Sequence, residues 1–481
     1  MSASSSADPT SELRRNRLTI WDALAQSFGF LGPVMVVSFL TSLVATGAGA
    51  ATPLAILLGG IACLAVAYIV SQYATKLAAA GSIYNYVTKS LGPGWGFIGG
   101  WMYFVATLFL TFGIIGGVGG WVSMLIADQL GIQIPFVLFS IVEVVLLFLL
   151  TFYDIRISTR TQLTLVFLSV LLVLGFAISI IIRGGAAGNT LEPFLPTTAP
   201  GVWSGLAFGM IFGILAFTGF ESAASLGEET SNPRKNIPPA IMGCVIGGII
   251  FYAIVSYAMA IGFGVANGEK WAQDPTAMYT LAGMYGANWL VVLITVAAII
   301  DGFAVSLGCL NACARVTFAM GRDGALPRFL GRSHPVYQTP YIANISILVL
   351  AVVAALVFYV LQGAEAWSAL FGFFAGMGGL SIEVLYGIVG ISAVVFFPKL
   401  YRSQFSVFKH VIVPIIAILA VLAAIYGSVQ PVPDPLLSLV PYLVLIGLVL
   451  GLVVAGYLQA TRPGIVQQIG RRLVEDEVGS F

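Results

Sequence analysis

The sequence predicts an all-α integral membrane protein with twelve transmembrane helices. Composition, the length of its apolar runs and the sidedness of its basic residues carry that prediction. Of 481 residues, 59% are hydrophobic and 9% charged, against roughly 25% charged in soluble domains. That is too few charges to clothe a soluble fold of this size, and a bilayer removes the need by solvating apolar faces. The 55 glycines agree, because small residues let membrane helices pack closely.

A bilayer core takes roughly 20 helical residues. Apolar runs between charges and turn clusters mark spans at about 20–46, 53–75, 96–126, 134–153, 161–182, 203–226, 238–264, 288–319, 341–361, 367–397, 408–429 and 440–460. Spans 3, 8 and 10 read long, which suggests tilt or projection beyond the bilayer. With the N-terminus in the cytoplasm and strict alternation, the inner connections hold 19 of the 21 Lys and Arg residues. The outer ones hold Arg183 and Lys270. An extra or missing span in the middle would scramble this split. Positive-inside sidedness therefore predicts twelve spans with both termini cytoplasmic. The plasma (cell inner) membrane is the expected location.

The resulting organisation is a tail at 1–19, five spans over 20–182, an outer connection at 183–202, five spans over 203–397, two more over 398–460, and a tail at 461–481. No connection is long enough for a soluble domain. The polar, basic start runs into a full span, so no cleavable signal peptide is expected.

The net charge of +1 gives no basis for nucleic-acid binding. Cys63, Cys244, Cys309 and Cys313 sit in apolar segments without metal or disulfide spacing. Cys309 and Cys313 are one helical turn apart and read as small packing residues. His334 and His410 lie in polar connections. No catalytic group, metal site or cofactor is expected, and the chain does not read as an enzyme. A channel would be expected to carry a charge ring or a repeated pore-lining pattern, and neither is visible.

Two spans are interrupted. Span 1 reads Gly29-Phe30-Leu31-Gly32-Pro33, where proline removes a backbone donor and two glycines ease unwinding. Span 6 reads Phe217-Thr218-Gly219-Phe220-Glu221-Ser222, with a carboxylate just after a glycine inside an apolar run. Spans 1 and 6 are the first members of two five-span units. Matching interruptions in two halves of a membrane protein point to a transport site, because freed backbone groups in the bilayer need partners that a solute can supply.

Three stretches resemble the amino acid–polyamine–organocation (APC) superfamily. The first is Ala80-Gly81-Ser82-Ile83-Tyr84-Asn85-Tyr86-Val87 with Leu91-Gly92-Pro93 and Gly99-Gly100-Trp101. The second is Phe217 to Ser222 with Glu228-Glu229-Thr230, Asn232-Pro233 and Ile237-Pro238-Pro239-Ala240-Ile241. The third is Arg315-Val316 with Gly321-Arg322-Asp323-Gly324-Ala325-Leu326-Pro327, then Thr339-Pro340. The resemblance implies a LeuT-type fold: a 5+5 inverted repeat with broken helices 1 and 6 plus two peripheral helices. It implies substrate near the midplane between spans 1, 3, 6, 8 and 10. The stretch Gly29, Phe30, Leu31, Gly32 would face the substrate carboxylate, and Phe217, Thr218 and Gly219 its amino group. Glu221 matches a gating or proton-sensing acid. Span 1 departs from the family's GSG motif, and span 5 lacks the lysine that mimics sodium in some relatives.

Glu143, Glu221, Asp301 and Glu383 fall inside spans, where an unpaired charge costs several kcal/mol. They could attract a cationic solute, carry protons or serve as structural groups. Glu221, at the break, reads as the proton-coupling or gating residue. Asp301, Cys309 and Glu383 lie on spans expected to line the site. Glu143 reads as structural. Phe217, Phe220 and Tyr103 could cover a substrate or stack on a cation, whereas most membrane aromatics pack or anchor.

The function these readings predict is secondary active transport of amino acids or related amines by alternating access, as proton symport. An exchanger, a polyamine or cationic-solute permease and a non-transporting sensor stay open as alternatives. The expected partners are the small-molecule substrate, protons and the lipid bilayer. The sequence does not identify the oligomeric state.

Overall fold

The helices begin and end for local reasons, and the first is the most informative. In this computed structural model, residues 18–77, 82–153, 155–286, 288–430 and 435–464 are described. Most of both predicted tails, the Ala80-Gly81 start of the first motif and the side chains of Arg156 and Arg160 lie outside that set. Helix α1 (Ile20–Leu31) starts at a capping box: the Asp22 amide donates to the Thr19 hydroxyl, and the Thr19 amide donates to the Asp22 carboxylate. Such a box satisfies backbone donors that the first turn cannot. α1 ends at Gly32, whose φ of 59° is left-handed, and Pro33 restarts the helix. The chain then passes through a π-helical turn, Val36–Leu40, into α2 (Thr41–Ala48). π turns inside helices concentrate at functional sites.

A second left-handed glycine, Gly49, precedes α3 (Thr52–Ala74). There follow α4 (Ile83–Leu91), α5 (Pro93–Leu130), α6 (Phe136–Tyr153), α7 (Ile155–Arg183) and α8 (Trp203–Leu215). After α8 the chain leaves helical geometry at 216–219 and resumes as a 3₁₀ segment, Phe220–Leu226. Then come α9 (Pro233–Phe263), α10 (Asn288–Arg322), α11 (Tyr341–Gln362), α12 (Ala366–Leu400), α13 (Val413–Ser428) and α14 (Pro435–Thr461). Among the described residues there is no β-strand, and Leu18 and Thr230 form an isolated bridge.

Among the described residues, ten helical stretches are long and apolar enough to cross a membrane, one of them the 55-residue run Ile20–Ala74; the apolar Phe136–Phe152 helix is shorter. Spans 3 and 10, expected to be long, are helices of 38 and 35 residues. α5 packs along α12 and α10, α3 packs between α8 and α9, and α1 packs on α7, α9 and α10. Close approach needs small residues: a Cβ on Gly59 would sit 2.4 Å from the Gly213 backbone, so α3 and α8 meet backbone to backbone there. α14 turns much of its surface outward, including Leu445, Ile446 and Val453, as a lipid-facing helix would.

The two ends of the bundle close differently. At the basic end, predicted to be cytoplasmic, Arg315 on α10 donates to Glu229 through Nε (3.0 Å) and Nη2 (2.7 Å). This pair is nearly excluded from solvent. The Leu18 amide donates to the Glu229 carbonyl and the Ser231 amide to the Leu18 carbonyl, tying the start of α1 to the same place. Beside it Arg322 pairs with Glu228, and the Tyr84 hydroxyl donates to Asp323. Burial, with the Asp323 charge next, pushes the Tyr84 phenol well up, so it stays a donor. Toward the opposite end the helices meet through an aromatic cluster: Phe39 lies 3.9 Å from Trp121 and 5.2 Å from Phe371, ring centre to ring centre, with Trp367 edge-on.

Candidate substrate site at the paired helix breaks

The two breaks touch. Gly219, with φ of 114°, lies against the first break so closely that a Cβ there would sit 2.7 Å from Phe30 Cγ and 2.9 Å from the Leu31 amide. Below this contact the two half-helices are stapled. The Ser27 hydroxyl donates to the Phe220 carbonyl (2.6 Å) and accepts from the Ala223 amide, while Ser222 donates to the Gln26 carbonyl. Gln26 reaches α10 by donating to the Gly308 carbonyl. A mid-membrane break leaves donors and acceptors that must be satisfied internally, and these bonds do part of that.

The rest is done by two carboxylates. Asp301 Oδ2, from α10, accepts from the amides of Val34 and Met35, each at 2.8 Å. It thereby caps the restarted first helix. Glu221 Oε2 accepts from the Gly219 amide (3.1 Å) and the Tyr386 hydroxyl (3.0 Å), and its own amide also bonds to the carboxylate. It caps the restart of the second break. Both residues are fully buried, and the second oxygen of each has no hydrogen-bond partner among the described residues.

Above the breaks lies a cavity of about 50 Å³, lined by Phe30, Leu31, Met35, Val36, Leu40, Leu110, Ile114, Leu215, Thr218, Val305, Phe371 and Ala375. Thr218 is the polar side chain in that lining. Its hydroxyl, near that of Tyr386, has no well-formed hydrogen bond. The volume would hold a few water molecules and is well below that of an open drug-sized pocket.

Of the residues singled out from sequence, Phe30, Leu31 and Thr218 line this cavity, and Gly32 and Gly219 form the turns beneath it. Gly29 is buried in the last turn of α1. Asp301 and Glu221 sit behind the cavity as caps. Phe217 points elsewhere: its ring meets Tyr252 edge-on and packs near Gly60 and Gly248. Phe220 lies against Tyr386. Tyr103 is fully buried, and its hydroxyl has no partner among the described residues. Cys309 donates to the Thr107 carbonyl and accepts from Thr111, packing α10 on α5. Glu383 is buried on α12 one turn before Tyr386, with neither carboxyl oxygen hydrogen-bonded among the described residues. Glu143 accepts from Ser306 at 2.6 Å.

Sequence reasoning missed Tyr386, the Gln26-Ser27 staple and the cavity wall from Met35, Leu110, Ile114 and Phe371. The wall residues carry no signal, being apolar residues in apolar helices. Ser27 had one: a hydroxyl and a neighbouring amide, Gln26-Ser27, one turn before a break, where freed backbone needs side-chain partners.

A family model described as amino acid permease matches residues 18–453. The chain is 29% identical to the branched-chain amino acid permease BcaP of Bacillus subtilis, over 63% of this chain and 67% of that protein. It is 27% identical to the methylthioribose transporter of the same organism, over 70% of this chain and 74% of that one. It is 29% identical to the low-affinity putrescine importer PlaP of Escherichia coli, over 61% and 64%. These relatives are permeases rather than enzymes, and the extent of the family match agrees with the APC resemblance read from the three motifs. The chain belongs to the amino acid permease family.

Proposed function

We propose that the protein is a secondary active transporter that carries an amino acid or related amine across the plasma membrane by alternating access, coupled to protons. The observation that carries this reading is the meeting of two mid-helix breaks beneath a small cavity. A substrate there contacts both halves of the molecule at once, so closing one end and opening the other can pivot on it. The small cavity, the ion-paired basic end and the aromatic opposite end fit an occluded state of that cycle.

The topology we assign has twelve spans and both termini in the cytoplasm. The 55-residue helical stretch reads as two spans parted at Gly49, and the Phe136–Phe152 helix as one more. The assignment groups them as five, five and two, the first two groups being inverted repeats. The positive-inside split supports the sidedness. Glu221 is our proton-coupling residue, because it caps a break through groups that rearrange when the helix moves. The substrate would sit against Phe30, Leu31 and Thr218, with Gly29, Gly32, Tyr103, Phe217, Gly219, Phe220, Asp301, Cys309 and Glu383 shaping or supporting the site.

Uptake of radiolabelled amino acids and amines into proteoliposomes, with and without an inwardly directed proton gradient, tests the reading. Gradient-dependent accumulation that a protonophore abolishes is the expected result. Accumulation indifferent to gradient and protonophore would remove proton coupling, and no uptake of any solute in either series would remove transport.

A further inference from the structure

We infer that the site takes an amine that lacks a carboxylate, because Asp301 already occupies the place at the first break where a substrate carboxylate could be held. The inference rests on the reading that the cavity at the breaks is the substrate site, and it narrows the substrate class for that site.

A solute carboxylate buried in a membrane protein needs donors: free amides, hydroxyls or a cation. Among the described residues no Lys, Arg or His lines the cavity. The amides freed by the first break, Val34 and Met35, both point at Asp301 Oδ2. Of those at the second break, Gly219 donates to Glu221 Oε2, Phe217 to the Ile214 carbonyl and Thr218 to the Leu215 carbonyl. The backbone donors are spent whatever the protonation of either acid, since one oxygen of each makes these contacts; the one hydroxyl in the described lining, that of Thr218, can accept as well as donate.

The acceptors are in surplus. Pro33 has no N–H to give the Gly29 carbonyl, and Val34 gives its own to Asp301 rather than to the Phe30 carbonyl. Both carbonyls lose the donors that an unbroken helix would supply. Glu221 Oε1 and Asp301 Oδ1 are buried and unpartnered. Two half-helices also end here at their negative poles, α1 and α8. An ammonium group brings three donors and a positive charge to a place whose described lining holds no cation and a single hydroxyl donor, Thr218, whereas a carboxylate would meet mostly acceptors. The rest of the lining is apolar, which suits an alkyl chain.

Full-length protein in detergent is titrated calorimetrically with two matched pairs, leucine against 3-methylbutylamine and ornithine against putrescine. Within each pair the solutes differ by the carboxylate. The expected result is that each amine binds at least about tenfold more tightly than its carboxylate partner. Equal or tighter binding of leucine and ornithine overturns the inference, as does failure of all four to bind at about 10 mM. Uptake of the same four solutes into proteoliposomes separates this from the transport reading. Amine binding without uptake defeats transport and leaves the inference standing. Uptake favouring leucine and ornithine defeats the inference and leaves transport standing. Asp301→Gly frees the Val34 and Met35 amides, and the folded variant is expected to gain leucine binding relative to 3-methylbutylamine. An unchanged preference in that folded variant overturns the inference. Asp301→Asn keeps an acceptor on the two amides and is expected to keep the amine preference; its loss overturns the inference. Should neither variant fold, the wild-type pairs decide.

Discussion

At the first break, the carboxylate that holds the restarted backbone comes from a distant helix. Asp301 on α10 reaches Val34 and Met35, 267 and 266 residues away in sequence. At the second break it comes from the break itself, since Glu221 holds Gly219, two residues before it, and gains Tyr386 from α12. The difference separates two jobs. Asp301 ties two helices together, so moving it means parting them. Glu221 is anchored locally and shares one hydroxyl with α12, so a change in its protonation alters one inter-helix bond while the backbone cap can persist. On this account the first break is the fixed half of the site and the second is the responsive half.

The most damaging single change should strike the contact between the breaks. Gly219→Ala forces an L-residue to φ of 114° and drives a methyl into Phe30 and the Leu31 amide. Strain and overpacking together should cost about 2–5 kcal/mol, read as a large fall in melting temperature with loss of substrate binding. Asp301→Ala comes next. It leaves two buried amides unsatisfied, at about 1–3 kcal/mol each. Asp301→Asn should recover most of that stability, and equal damage from Asn and Ala would mean that charge rather than capping matters there. Ser27→Ala removes a donor to Phe220 and an acceptor for Ala223, and a loss of about 1–2 kcal/mol is expected. Tyr386→Phe should be mildest, about 1 kcal/mol, because Glu221 keeps its backbone donors. A loss as large as that of Asp301→Ala would erase the contrast between the breaks.

Much of the site's position was legible in the sequence, and little of its wiring. Gly32-Pro33 and Gly219 had to interrupt helices, because proline lacks a donor and glycine alone tolerates the φ adopted at 219. The long spans 3 and 10 were legible from uninterrupted apolar runs. The partners were not. Asp301 could be flagged as costly inside a membrane, yet which backbone it caps depends on the packing of α10 on α1. Phe217 stood out by adjacency to the break, but its ring turns toward Tyr252, since the backbone path from 216 to 219 sets the direction and sequence does not. The cavity wall was illegible for a plainer reason: Met35, Leu110, Ile114 and Phe371 resemble the lipid-facing residues around them.

The claim that the second break responds to protons is tested most directly by Glu221→Gln in proteoliposomes. Glutamine can still accept from Gly219 and Tyr386, so the fold should hold and melting should change little. Two fluxes are compared for whichever solute the wild type carries: accumulation driven by a proton gradient, and counterflow between equal pH on both sides. The account predicts that the variant loses gradient-driven accumulation and keeps counterflow. Accumulation that persists in the variant with the wild-type dependence on the gradient would contradict it.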